Sequence, residues 1–514
     1  MKKYLLLLLA FGLIVTSCKK NDNDVPTEIA EEEQEETPVV KTRADYRTQD
    51  FIWQIMNINY FWQEDVADLA DDKFTSLDED PSYVEFLAQG ADDPADFFYN
   101  LCFEHKNIVG DEAATDRFSR LTDDYNTLLQ NLQGVSKSNG LKFGLGTITG
   151  TNNLFGLVRY VLPDSDAAGK DIKRGDFFTG VNGVDLTQDN YRELLFGDAD
   201  TYILNLARLD NGFIENTGQE VSLTKEENFG ENPIQLNQVI ERGGNKIGYL
   251  MYNSFAAAYD EDLNNAIGEL KTAGINELIL DLRYNGGGRL TSALQLASSI
   301  YGTKTDELFV RNRWNSKIQP LVSTENLETN FTDKTIDGSV INELNLTQLY
   351  VITSGSTASA SELIINGLEP YVKIIQVGDK TVGKNEFSLT FIDDLDGNIV
   401  LTNTSTPNVN PENQWALTPL CGRVENADGF SDYTSGFTPE HQLREDLGNL
   451  GILGDLREPL LALTLAVIDG TVSKSNFEPI YPIETFSSSE EFNPLNNAIL
   501  MNDLADPVFM PNRK

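Results

Sequence analysis

Histidine is almost absent from this chain: 514 residues carry two, His105 and His441. Most hydrolytic mechanisms use an imidazole to move protons, so hydrolytic chemistry here needs another base. His105 falls in an aromatic-rich helical stretch and reads as structural. Cysteine is nearly as scarce, at three. With Cys18 set aside for the N-terminal signal, Cys102 and Cys421 are too few for a disulfide framework or a zinc site; a single Cys102–Cys421 bridge is the one pairing open to them. Lys and Arg total 39 against 80 Asp and Glu, a formal charge of −41. Phosphate contacts need clustered basic residues, which argues against nucleic acid as a partner. After the leader no stretch is long and apolar enough to cross a bilayer, which takes about 20 residues.

What is present begins with an export signal. Lys2 and Lys3 precede an apolar core from Leu5 to Val15, too short for a span and ending in small residues, as cleaved signals do. Val15-Thr16-Ser17-Cys18 resembles a bacterial lipobox, in which Cys18 is lipidated and becomes the first mature residue; the alternative is an ordinary signal with a chance cysteine. Lys19 to Pro38, with the acidic run 31–36, has little to bury and reads as a solvated tether. Lys19 lacks the aspartate of an inner-membrane retention signal, which favours the outer membrane of a Gram-negative envelope, on either its periplasmic or its outer face.

The remaining residues exceed one core and imply two to four domains. Phe51, Ile52, Ile55, Met56 and Ile58 recur at near-helical spacing, Asp93-Pro94 opens a second helix, and Leu121 to Leu132 forms a third. From Gly140 to Thr224 short strands alternate with Gly and Asp turns. The order Phe143-Gly144-Leu145-Gly146, Gly156 to Val161, Lys173 to Asp176 and Asn182-Gly183 resembles a PDZ domain. There a Gly-rich loop presents N–H groups to a peptide carboxylate, and a sheet edge accepts the peptide as a strand. From Lys246 strand and helix alternate: a strand at 247–255, a helix with Leu263, Ala266, Ile267 and Leu270 on one face, and a nearly all-apolar strand at 278–282. A helix at 290–300, a strand at 349–353, a helix at 360–368 and a strand at 374–377 follow. Such a succession makes a covered, largely parallel sheet.

Three motifs sit at turns at the ends of these strands, where open α/β sheets place ligands. Asp281-Leu282-Arg283-Tyr284-Asn285-Gly286-Gly287-Gly288 offers backbone N–H groups unobstructed by side chains, as an oxyanion hole requires, though a plain loop reads equally from the glycines alone. Thr357-Ala358-Ser359-Ala360-Ser361-Glu362 puts a hydroxyl in the positive field of a helix N-terminus; Ser359-x-x-Glu362 is also the spelling of a capping box. Gly383-Lys384 follows a buried strand, where lost hydration lowers an amine's pKa and frees a base; a solvated surface lysine is the alternative.

Together the motifs resemble the carboxy-terminal processing peptidases, also called tail-specific proteases, which are Ser–Lys enzymes. The resemblance runs to about Gly470 and includes Lys246-Ile247-Gly248-Tyr249-Leu250 and the closing Gly436-Phe437-Thr438-Pro439-Glu440 followed by a helix at 459–467. It implies an α/β, multidomain chain: leader 1–17, tether 18–44, helical domain 45–137, PDZ-like domain 138–226, ClpP/crotonase-like peptidase domain 240–472 and C-terminal extension 473–514. It further implies Ser359 as nucleophile, Lys384 as base 25 positions later, and oxyanion donors at Ala360 and at Gly287 or Gly288. Polypeptides are the implied substrates, with no metal or organic cofactor. The family's glutamine four residues past the lysine is Ser388 here, a shorter candidate for orienting the amine. His441 either borders the cleft or lies on the surface at a helix start. A catalytically silent, peptide-binding lipoprotein on the same scaffold is the competing reading. An acyl-thioester enzyme would need a basic nucleotide-binding patch, which the sequence lacks.

Overall fold

The computed structural model describes residues 41–500, apart from 398, 402–404, 473, 474, 478, 491, 492, 494 and 497. The leader, Cys18 and nearly all of the tether lie outside the described residues. Ordered structure starts slightly before the expected boundary at 45. Arg43–Tyr46 forms a 3₁₀ turn, and Arg43 pairs with Asp50 at 2.8 Å and Asp78 at 2.6 Å.

The N-terminal layer is helical where the periodicity predicts it. Arg47–Asn59 buries Phe51, Ile52, Ile55 and Met56, the stripe that packs against Tyr83, Leu87 and Phe98. Pro94–Asn100 starts where Asp93 accepts the N–H groups of Ala95 and Asp96, with proline at the one position that has no amide to lose. The layer ends differently from the expectation: Arg120–Thr122 is a strand, antiparallel to Ala416–Thr418, before the helix Tyr125–Leu132. His105 is buried and stacked on Tyr99 with ring centroids 4.5 Å apart. Its Nε2 lies 3.0 Å from Ser119 O, a structural role.

A seven-stranded sheet carries the middle of the chain. Its order is 487–488, 141–147, 154–161, 177–181, 201–210 and 213–224, with 184–185 paired off the path. Residues 143–146 therefore lie inside the strand Leu141–Thr147 and not in a loop. Alternation decides this: Leu141, Phe143 and Leu145 point into the local core, while Gly144 and Gly146 leave room on the opposite face for Arg159 and Phe155.

The second half is built on another seven-stranded sheet. Ile234–Arg242 pairs antiparallel with Asn245–Tyr252, followed in parallel by Glu277–Asp281, Gln348–Thr353, Lys373–Gly378, His441–Leu443 and Ser475–Phe477. The helix Asp260–Ala273 buries Leu263, Ala266, Ile267 and Leu270 and stops at Gly274, whose φ of 72° supplies the left-handed cap. Helices Leu290–Tyr301 and Ala360–Leu368 are buried almost throughout. Across the strand ends lies a six-stranded sheet, in the order 287–289, 498–500, 386–388, 420–426, 308–314 and 328–330. Thus the fold is mixed α/β.

One expectation changes and one open question closes. His441 opens a strand in register with Val377 and is buried, so it is neither a surface residue nor at a helix start; Cys102 and Cys421 are both buried free thiols. Among the described residues no helix is long and apolar enough to cross a membrane, and no cluster of His, Cys, Asp and Glu could hold a metal ion.

Candidate active site

The strand Gln348–Thr353 ends in a turn pinned to the preceding strand's own exit. Thr357 Oγ1 donates to Leu282 O at 2.8 Å, Ser354 Oγ donates to Arg283 O, and Ala358 N–H donates to Asn285 O at 3.2 Å. These bonds fix Ser359 in an uncommon conformation, φ 64° and ψ −114°. A non-glycine residue there stores roughly 1–3 kcal/mol of strain, which persists only when its surroundings dictate it.

The capping alternative can now be judged. Glu362 does its half of a capping box, accepting Ser359 N–H at 2.8 Å. The box arrangement is present on both sides, but Ser359 Oγ makes no side-chain cap hydrogen bond and is buried with no hydrogen-bond partner among the described residues. The hydroxyl is thus held at the N-terminus of Ala360–Leu368 without serving as its cap. Ala360 N–H, in the first turn, belongs to the donors a helix leaves unpaired.

Glu362 is the residue that sequence reasoning undervalued. Its Oε2 accepts the amides of both Ser359 and Lys384 at 2.8 Å, and its Oε1 accepts Gly383 N–H at 2.7 Å and Thr381 Oγ1 at 2.5 Å. Burial pushes the carboxyl's pKa up, against these bonds. The signal was present as Ser-x-x-Glu, but only its local meaning could be read.

Lys384 is buried, which disposes of the solvated-lysine alternative. Loss of hydration, followed by the field of Arg120, lowers its amine to about 7, against the pull of Glu386, Asp116 and Glu362. The Phe118 ring lies 5.3 Å from Nζ. Arg117 grips the adjoining backbone, donating to Gly383 O at 2.5 Å and to Val382 O at 3.3 Å. Gly383 is required where it stands: φ is 84°, and a Cβ would lie 2.3 Å from Thr434 O. Nothing in the sequence links Arg117, Phe118 or Arg120 to a lysine more than 260 positions away. Ser388 is buried in the strand Glu386–Ser388.

The glycine run forms the facing wall. Gly287 and Gly288 have φ of 111° and 137°. A Cβ on Gly288 would lie 2.3 Å from Phe255 O, so glycine alone permits this approach. Gly287 N–H is taken by Asn285 Oδ1 at 2.9 Å, leaving Gly288 the better oxyanion candidate of the two. Behind the wall, Arg283 is fully buried between Asp281 at 2.7 Å and Glu458 at 2.7 Å, which anchors the strand exit.

A buried, strained serine and a buried lysine held near neutrality, their amides joined through Glu362, are the parts of a Ser–Lys hydrolase site, although Ser359 Oγ itself makes no hydrogen bond to the lysine. Residues 246–419 match the model of peptidase family S41, and residues 47–120 match the Peptidase S41 N-terminal domain. The chain thus carries peptidase S41 domains over these two segments. It is similar to a carboxyl-terminal-processing protease of Picosynechococcus, 24% identical over 284 residues, which cover 53% of this chain and 62% of that protein. It is also similar to the chloroplastic carboxyl-terminal-processing peptidase 1 of Arabidopsis thaliana, 26% identical over 275 residues, covering 52% and 50%. The chain thus spans about half to three-fifths of the length of these curated relatives. A solved structure from Bacteroides fragilis, described as a candidate S41 protease, is 25% identical with a TM-score of 0.58, covering 82% of this chain and 98% of that one.

Proposed function

We propose that this chain is a serine endopeptidase of the carboxyl-terminal-processing type, with Ser359 as nucleophile and Lys384 as general base. The observation that carries the reading is the Glu362 Oε2 bridge. Two amides hang from one oxygen, so the strained serine and the near-neutral lysine are positioned by a single group. In the proposed reaction the neutral amine takes the Ser359 Oγ proton as Oγ attacks the peptide carbonyl. Ala360 and Gly288 N–H groups hold the oxyanion, the ammonium returns its proton to the leaving amine, and water then frees the acyl group. Ser388 is included as an orienting group for the amine.

Substrates under this reading are exported polypeptides, engaged near their C-termini by the PDZ-like sheet, and Cys18 carries the lipid that holds the enzyme at the outer membrane. Cys18→Ala would then move the protein from the membrane to the soluble fraction. Peptides with free and amidated C-termini test carboxylate capture; equal binding counts against it.

The decisive experiment takes the chain from Lys41 onward and measures cleavage of an unfolded protein and labelling by a fluorophosphonate. Ser359→Ala and Lys384→Ala variants, shown by thermal unfolding to be folded, should lose both. Cleavage persisting in either variant rejects the dyad. An unlabelled, inactive parent chain at every pH establishes the silent-scaffold reading instead.

A further inference from the structure

The C-terminal extension is laid across both surfaces on which a peptide strand could be added. On the sheet edge at Leu141–Thr147, Ser487 and Ser488 stand antiparallel to Leu145 and Gly144. Phe486 N–H donates to Leu145 O at 2.7 Å and Ser489 N–H to Phe143 O at 3.0 Å. Phe143 N–H donates back to Ser489 Oγ at 3.1 Å. Farther on, Ala498–Leu500 runs parallel to Gly287–Arg289 on one side and meets Ser388 on the other. Those two walls carry the oxyanion candidate and the stretch after Lys384. Without the intervening strand they would face each other across about 9–10 Å, two strand spacings, which is room for one extended chain. Arg120, which acts on the lysine, also donates to Asn496 O at 3.4 Å.

We propose that residues 485–490 and 498–500 occupy, within the same chain, the two strand-accepting surfaces that an extended polypeptide substrate uses, so that substrate entry and displacement of these residues are one event. The inference rests on the peptidase reading of those walls. On the 141–147 edge its occupant is held lightly, although farther on Leu495 is buried against Leu128 and Leu132. Phe486 is 43% exposed and touches Tyr191 only edge-on. Glu490 pairs with buried Lys142 at 2.7 Å, but Lys142 pairs equally with Glu231 at 2.7 Å. Releasing the segment therefore leaves no buried cation unpaired, the cost that makes most broken internal ion pairs prohibitive. Main-chain hydrogen bonds supply most of the attachment, and an incoming strand can replace those in kind. Tethering gives the resident segment a high effective concentration, so only a substrate that engages both surfaces at once competes well.

The test uses the Ser359→Ala chain and a fluorescein-labelled, twelve-residue peptide of alternating Val and Ala with a free carboxylate. Hydrogen exchange followed by mass spectrometry should show residues 484–490 protected without peptide and exchanging at least tenfold faster at saturation. Ser489→Pro, which removes the amide bonded to Phe143 O, should bind the peptide at least several-fold more tightly. Binding that leaves residues 484–490 fully protected overturns the proposal, as does an absence of binding to both variants. Because neither readout needs catalysis, displacement without cleavage by the Ser359 chain would sink the peptidase reading while leaving the segment as the resident occupant of a peptide-binding edge.

Discussion

Ser359 and Lys384, 25 positions apart, hang by their amides from the same oxygen of Glu362, so those two nitrogens can be no farther apart than twice 2.8 Å. The spacing of the two backbones is thereby set by a third side chain. Glu362→Gln would turn an NH2 group toward amides that also donate. One lost hydrogen bond to a charged acceptor is worth about 1.5–3 kcal/mol, and 1.36 kcal/mol is tenfold in rate. The expected result is a kcat lower by about 10–100-fold with KM little changed, from steady-state kinetics on an unfolded protein. A variant with unaltered kcat would show that the bridge is dispensable.

The lysine sets the pH profile. With its amine near 7, kcat/KM should rise about tenfold per pH unit below that value and level off above it. Arg120 disfavours the ammonium, so Arg120→Met should raise the amine's pKa and move the midpoint to higher pH. A midpoint that stays put, or moves down, contradicts the assignment. Stability follows by linkage. The fold lowers this pKa from 10.5, so the penalty is full below about 7 and fades as pH rises toward 10.5. Lys384→Met should therefore stabilise the protein most at neutral and acidic pH, read from urea midpoints.

Gly383 is expected to tolerate no side chain. A left-handed alanine costs about 1–2 kcal/mol, and its Cβ would collide with Thr434 O. Gly383→Ala should lower stability by at least that amount and lower cleavage further, because the shift falls on Lys384's own backbone. Parallel denaturation and activity measurements separate the two effects.

Arg283 offers a purely structural contrast. Glu458 takes two of its hydrogen bonds, at 2.7 and 3.1 Å, and also accepts Leu461 N–H at 2.8 Å. Removing one partner of a buried pair costs about 3–5 kcal/mol. Glu458→Ala should lose stability on that scale, measured by chemical denaturation, while Glu458→Gln, which keeps a polar partner, should lose less.

Local patterns made much of this legible. Continuous apolar runs such as 278–282 and the Leu263-Ala266-Ile267-Leu270 stripe produced strands and helices where expected, and Glu362 ties the Ser359 and Lys384 backbones together. Pairings between distant segments were not legible. Phe143 to Gly146 reads as a loop because glycine is common in loops; it is a strand because Phe143 and Leu145 alternate into a core and Phe155 and Arg159 need the glycines' empty face. His441 follows Pro439-Glu440, a plausible helix start, yet Val377 offers it a ladder position. The stretch 475–500 has no strong periodicity because its strands are two and three residues long, and two of the three pair with segments more than 200 positions away.

The grip of Arg117 on Gly383, with Phe118 beneath the lysine, ties the enzyme's competence to its completion. The layer that dries the amine is made early in synthesis, and the amine itself arrives only much later. Under the proposed mechanism, until the two dock the lysine keeps its water and its proton, and Ser359 lacks its base; cleavage then waits on the docking of the N-terminal layer.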